Sequence, residues 1–302
     1  MSAGAPVVRA RGLPGDSLEL ALRFALLVLV LDPPLHWFQR VPIWAVASAG
    51  LLLPGLMRRP GLWLCLCGLT TWPLLWGWPF SDNHDYLRAL LCLGVATSLP
   101  APDPRRALAW NARWLIGLTF AFAALWKGLL SPDYLDGSFF RVTLLSDGRF
   151  HDLAVLLGGV TEASLSAFDA GLHAFLSADS ASAPVSSPWA PGFVEPAALR
   201  RLAALLTAFT LLGEAAIALA FLWPPAGRLR RWRNGLLLGF GVASYSFATV
   251  RGFGWLLMAL GAAQCENRER RTPLLYVGVF VLIEVYRSVP WSHALVTLLA
   301  PG

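Results

Sequence analysis

Trp114-Leu-Ile-Gly-Leu-Thr-Phe120-Ala-Phe-Ala-Ala-Leu-Trp-Lys127-Gly-Leu-Leu130 is an apolar run interrupted by one charge, and that charge is the only lysine of the 302-residue chain. With its flank from 107, the run is long enough at 1.5 Å per residue to cross the ~30 Å hydrocarbon core of a bilayer. Its hydrophobicity is continuous and not alternating, which excludes a barrel strand, and in lipid only helices and closed barrels satisfy their backbone. The run therefore reads as a membrane helix. Lys127 admits two readings within it. A buried amine can give up its proton, as arginine cannot, and so serve as a base. Alternatively, a lysine three residues from a helix end snorkels its ammonium to the membrane surface.

The rest of the chain resembles this run in composition. It is 56% hydrophobic and 14% charged, where a soluble protein carries about a quarter charged residues. The expected fold class is all-α: a polytopic transmembrane helix bundle, 1–302 forming a single domain. Apolar segments near 17–32, 42–58, 61–80, 84–100, 107–130, 201–224, 234–250, 252–265 and 273–288 predict about nine crossings, within a range of eight to ten. The stretch Phe24 to Leu31 follows Arg9 and Arg11 but precedes no small-residue cleavage site, so it is expected to stay as the first span. Cys65, Cys67, Cys92 and Cys265 fall in or beside apolar runs and read as packing residues, not as a disulfide framework or a zinc site.

Arginine placement orients the bundle. Arg9/Arg11, Arg58/Arg59, Arg105/Arg106, the cluster Arg228 to Arg233 and Arg268 to Arg271 fall in alternate loops, which the positive-inside rule assigns to the cytoplasm. The N-terminus is then cytoplasmic and 131–199 extracytoplasmic, in a bacterial inner membrane. Eight acids against Arg141 and Arg149 give 131–199 a net −6, leaving +12 on the rest of a chain whose total is +6. That segment is expected to be an insertion with short surface helices and a flexible linker, Ser177 to Pro188. The bilayer is the expected partner; nucleic acid is not, and the oligomeric state is open.

This orientation gathers polar residues at the outer side. Lys127 lies roughly 5 Å below one helix end by the helical rise. Asn83, His84 and Tyr86 open the fourth predicted span, Ser244 and Tyr245 with Arg251 close the seventh, and Glu284 is near the outer end of the ninth. A base, an imidazole, a phenol and an acid at one level are what a catalytic pocket needs. Aqueous helix ends also collect such residues. Glu214 lies mid-helix, where an ionised carboxylate is costly unless paired or protonated, and Thr207, Thr210 and Glu214 share one face. With flush helix ends, Glu214 would be roughly 13 Å deeper than Lys127. A direct pair would then require shifted or bent helices. No metal cluster, phosphate loop or nucleophile elbow is expected; Gly235-xxx-Gly239 reads as helix packing.

Two passages carry a family resemblance. Trp78-Pro-Phe-Ser-Asp-Asn83-His84-Asp-Tyr86-Leu87 is similar to the Asn-His-x-Tyr-Leu passage of the vitamin K-dependent γ-carboxylases and their bacterial relatives, the HTTM-domain proteins. Ala123-Ala-Leu-Trp-Lys127-Gly-Leu-Leu-Ser-Pro-Asp133-Tyr-Leu-Asp136-Gly137 resembles that family's Ala-Gly-x-x-Lys-Leu-x-x-x-Trp-x-x-Gly, lysine and final glycine in register. Leu211-Leu-Gly-Glu214 resembles its glutamate-bearing helix. The resemblance is dense over 82–138 and looser over 200–265. It implies that Lys127 is a base acting on reduced vitamin K or menaquinol, with oxygen and carbon dioxide as co-substrates, and that His84 is its partner. The quinol becomes an epoxide as a substrate glutamate is carboxylated. Asn83, Tyr86, Glu214, Ser244, Tyr245, Arg251 and Glu284 would line the pocket.

Two departures qualify that expectation. Ser244 stands where the family has a later-helix histidine. The family's large lumenal portion, which grips glutamate-containing substrates, has no counterpart here, so 131–199 or another chain would have to supply that site. Two alternatives stand beside the enzyme reading. One is a non-catalytic membrane partner in export or maturation of a secreted peptide; the other is a transporter, motivated by Glu214 but lacking repeat symmetry. A lipid or peptide presented at the outer face is the alternative substrate.

Overall fold

The computed structural model describes residues 17–32, 37–177, 194–224, 228–246, 251–266, 269, 271–289 and 291–299. Among these every regular element is a helix. The chain divides into two compact units, Met1–Ala112 with Ala259–Leu274, and Arg113–Met258 with Leu275–Gly302.

The first unit is built on α1 (Ser17–Leu31), α2 (Trp37–Leu52), the single turn α3 (Pro54–Met57), α4 (Pro60–Gly77) and α5 (Asn83–Ser98). Proline opens both α3 and α4, where its missing N–H and fixed φ suit the first helical turn. The buried face of α1 (Leu22, Leu26, Leu29) is joined in this core by Ile43 and Ala47 of α2, Trp63 and Leu66 of α4, and Leu91 and Val95 of α5. Gly50 lets α2 close on its neighbours, since a methyl there would meet Leu26 Cδ1 at 2.9 Å and Leu62 Cδ2 at 3.1 Å. Trp63 is fully buried and donates its indole N–H to the Met57 carbonyl at 2.9 Å, satisfying a group that would otherwise be lost to water.

The second unit is centred on two long helices. One is α6 (Pro104–Leu125), which continues through a π-helical turn, Trp126–Leu130; its residues from Arg113 belong here. Between it and the other come α7 (Pro132–Leu135), α8 (Ser138–Ser146), α9 (Gly148–Gly158) and α10 (Glu162–Ser177). Then follow α11 (Ala197–Leu222), a 3-10 turn Arg228–Trp232, α12 (Arg233–Tyr245), α13 (Arg251–Ala263), α14 (Thr272–Ser288) and α15 (Trp291–Leu299), of which Ala259–Ala263 of α13 and Thr272–Leu274 of α14 belong to the first unit. Helices α7 to α10 form a cap with its own core: Tyr134, Phe140, Leu144, Phe150, Leu153, Leu165 and Phe168 pack with Leu199, Leu202 and Ala203 from the first turns of α11. The acidic segment is therefore seated on α11. Gly159, at φ +67°, ends α9 in the left-handed conformation that glycine adopts without a Cβ penalty. The linker expected at Ser177 to Pro188 lies, beyond its first residue, outside the described residues.

The count of about nine crossings is corrected here. Among the described residues two helices are long and apolar enough to cross a membrane, Pro104–Leu130 and Ala197–Leu222, and a third if α14 and α15, bent by 52°, are one span. The physical reason is helix length and dilution. The α1, α2 and α5 helices have 15 or 16 residues and so reach about 22–24 Å at the α-helical rise, short of the ~30 Å core. With 18 residues, α4 has the length, but its prolines, tryptophans and threonines lower its hydropathy. The four cysteines are free thiols; Cys92 and Cys265 are buried as expected of packing residues, whereas Cys65 is exposed and Cys67 half-buried.

Candidate functional site

In the second unit α6 runs antiparallel to α11. A methyl at Gly117 would meet Leu222 Cδ2 at 2.6 Å and one at Gly128 would sit 3.7 Å from Leu211 Cδ1, so residues 117–128 lie alongside 222–211. This register brings Lys127 to Glu214, and Lys127 Nζ donates to Glu214 Oε1 in a short ion pair. The roughly 13 Å depth difference expected from flush helix ends is thereby overturned. The first three turns of α11 continue past Leu130 into the cap, so Glu214 lies far from the start of its helix yet level with the end of α6.

The pair sits under the cap. Lys127 lies over the ring of Tyr134, 5.0 Å from its centroid, an arrangement in which the ring quadrupole attracts the ammonium. Tyr134 OH shares a 2.7 Å hydrogen bond with Thr210 Oγ1, which also lies 2.8 Å from the Leu206 carbonyl. Burial pushes the Tyr134 phenol up to about 12; the Thr210 bond opposes this and the Glu214 carboxylate reinforces it. Glu214 Oε2 and Thr207 Oγ1 are buried without a hydrogen-bond partner among the described residues. Lys127 keeps about a quarter of its side-chain surface exposed, and its neighbours Trp126, Leu129 and Leu130 are exposed apolar groups. Its π-helical turn is a geometry found disproportionately at functional sites.

Other expected residues sort around this cluster. Tyr245 is buried within electrostatic reach of Glu214, its ring against Gly254, where a methyl would meet ring carbons at 2.9–3.0 Å. Ser244 Oγ is buried and unpartnered among the described residues. Glu284 is half-buried on α14. Arg251 begins α13, and its side chain lies outside what is described.

Asn83, His84 and Tyr86 belong to the first unit. Asn83 is exposed, while Tyr86 packs edge-on to Trp78 at 6.3 Å, its hydroxyl buried and unpartnered among the described residues. His84 lies between two carboxylates, Nδ1 4.0 Å from Asp82 Oδ2 and Nε2 3.8 Å from Asp85 Oδ1. Against the expectation of no metal cluster, Asp82, His84 and Asp85 place ligand-type atoms within 4.8 Å of one another. The centre of this region is Arg88, which is 3% exposed and donates to Asp85 Oδ1 at 2.7 Å and Asp32 Oδ2 at 2.6 Å. With Gln39, Thr70, Phe38, Trp72 and Trp76 these groups line a 740 Å³ cavity.

Arg88, Asp32 and Gln39 had not been expected at a site. Arg88 did carry a signal, for it stands inside a predicted span as Lys127 does. Asp32 is 56 residues away, and nothing local announces that pairing. No family model, curated protein or solved structure matches the chain.

Proposed function

We propose that the chain is a polytopic inner-membrane protein whose Lys127, Glu214 and Tyr134 form an acid–base site for a lipid-soluble quinol or a membrane-presented substrate, after the manner of the γ-carboxylase and HTTM proteins it resembles. The observation that carries this reading is the Lys127–Glu214 pair itself, beside an exposed apolar turn. Away from water the charge-separated form loses much of its advantage. For Nζ to act as a base its electron pair must be free, which requires the proton of the pair to lie on Glu214 and to point away from Nζ. The Tyr134 ring holds one side of the amine and Thr210 fixes the phenol, which limits the directions in which Nζ can accept a proton. The unpartnered Oε2 of Glu214 and the apolar rim of Trp126, Leu129 and Leu130 fit a quinol ring with one ionisable hydroxyl. The quinol would supply the reducing equivalents for reaction with oxygen; the chain's residues supply the proton transfer. His84 is the family's partner residue and is carried over by resemblance alone.

The test is quinol epoxidation by the purified protein in nanodiscs with reduced vitamin K or menaquinol, oxygen and bicarbonate. Lys127→Ala is expected to lower turnover about 10²–10⁴-fold, the usual contribution of a positioned base. Unchanged turnover in folded Lys127→Ala would overturn the reading. Absence of epoxide from folded wild type with either quinol would favour the non-catalytic maturation partner.

A further inference from the structure

The cavity of the first unit has a charge imbalance that the acid–base cluster does not use. Its 740 Å³ lies within the usual range of ligand pockets, roughly 300–1,000 Å³. Asp32, Asp82 and Asp85 line it against one guanidinium, Arg88. With His84 neutral the surplus is two negative charges, and the roughly half positive charge at the α5 N-terminus does not cancel it. An anionic ligand is therefore disfavoured. Arg88 engages one oxygen of each half-buried partner, Oδ2 of Asp32 and Oδ1 of Asp85, and so holds both carboxylates in place while leaving each a second acceptor oxygen.

Gln39 points independently to a ligand. It is 8% exposed, lines the cavity, and makes no hydrogen bond among the described residues. Its amide atoms are not fully shielded, so the amide opens into the cavity and is available to a ligand there. Phe38, Trp72 and Trp76 add aromatic walls, which attract cations through their ring faces.

We propose that this cavity binds a primary ammonium group, with Asp32, Asp85 and the Gln39 amide oxygen accepting its three N–H donors. An aminophospholipid headgroup and a soluble amine share this chemistry. The experiment uses the full chain in phosphatidylglycerol nanodiscs, titrated calorimetrically with butylamine and with butyltrimethylammonium. Native mass spectrometry of protein from discs containing phosphatidylethanolamine follows the lipid source.

Saturable butylamine binding, at least about tenfold tighter than its trimethylated analogue and weakened about tenfold by Gln39→Leu, is expected; that is the size of one hydrogen bond to a charged group. Retained phosphatidylethanolamine that Gln39→Leu abolishes, without a butylamine response, supports the proposal and assigns the lipid source. Equal binding of the two ammonium ions, indifference to Gln39→Leu, or saturation by Mn²⁺ or Zn²⁺ with no amine effect overturns it. Asp85→Asn is a second test, while Gln39→Leu removes no charge and keeps the question answerable if Asp85→Asn does not fold. None of these residues belongs to the Lys127 cluster, so failure here leaves the acid–base reading standing, and the reverse holds too.

Discussion

In the first unit Arg88 is clasped by Asp32 and Asp85; in the second Lys127 meets one carboxylate among the described residues, Glu214. Both are cations placed against carboxylates inside helical packing, yet they differ in what they can do. The guanidinium cannot lose its proton in a protein, and its rigid fork matches two acceptors at once. The ammonium is a point charge that can be neutralised, it retains some exposure, and its partner keeps one oxygen unpartnered among the described residues. One arrangement fixes charge to hold structure. The other, in the function proposed, leaves a proton able to move.

The largest expected effect tests the fixed charge. Arg88→Met leaves the half-buried Asp32 and Asp85 carboxylates without their guanidinium, a loss toward the low end of the about 3–5 kcal/mol that breaking a buried pair from one side costs. Thermal unfolding in detergent should show a large drop in Tm or no folded protein. Arg88→Lys should recover only part, because an ammonium does not reproduce the fork. Full recovery by lysine would erase the difference drawn between the two cations.

Next in size is the movable proton. Lys127→Met should destabilise by about 1–3 kcal/mol, less than Arg88→Met because Glu214 can protonate where it stands. The double variant Lys127→Met/Glu214→Leu should return to within about 1 kcal/mol of wild type, since buried pairs exchange for apolar packing at little cost. Quinol turnover should stay lost in both. A double variant no more stable than the single one would make the pair a structural clamp, like Arg88.

A smaller effect probes the phenol beside the amine. Tyr134→Phe keeps the ring under Lys127 and removes the Thr210 bond, for a loss of about 1 kcal/mol. Its pH behaviour follows from the raised folded value. Because the native state holds the phenolic proton more tightly than the unfolded chain, this contribution is full below the ordinary value of 10 and declines as pH rises from there toward 12. In Tyr134→Phe that alkaline component should vanish from the stability profile.

Much of this was readable in the residues, and the unread part has a common cause. Lys127 and Glu214 stood out because each is a costly group in an apolar run, and helical class followed from composition. Their pairing did not follow, because it depends on α11 starting inside the cap and not flush with α6. That offset is set by Leu199, Leu202 and Ala203 packing on Phe140 and Leu144, contacts that no local pattern encodes. Span counting failed for a related reason. The predicted span 42–58 runs across Leu53 and Pro54, whereas the chain breaks there into α2 and the single turn α3.

The smallest effect comes from a third pair, on the cap, where water is available. Asp147 caps α9 by accepting from the Arg149 N–H at 3.0 Å, and its carboxylate also receives the Arg149 guanidinium. That hydrogen bond, more than partial burial opposes it, holds Asp147 below the ordinary carboxylate range. A depressed folded value means the contribution is present at neutral pH and fades as pH falls through it. Asp147→Ala should cost about 1 kcal/mol, mostly the lost cap, because exposed ion pairs themselves contribute about 0–1 kcal/mol. Raising salt should shrink the ion-pair part of that difference while leaving the Arg88→Met penalty nearly unchanged, since screening acts on exposed charges far more than buried ones. If salt moved both alike, burial would not be what separates Arg88 and Lys127 from the surface, and the contrast between a fixed and a movable charge would have to be sought in residue chemistry alone.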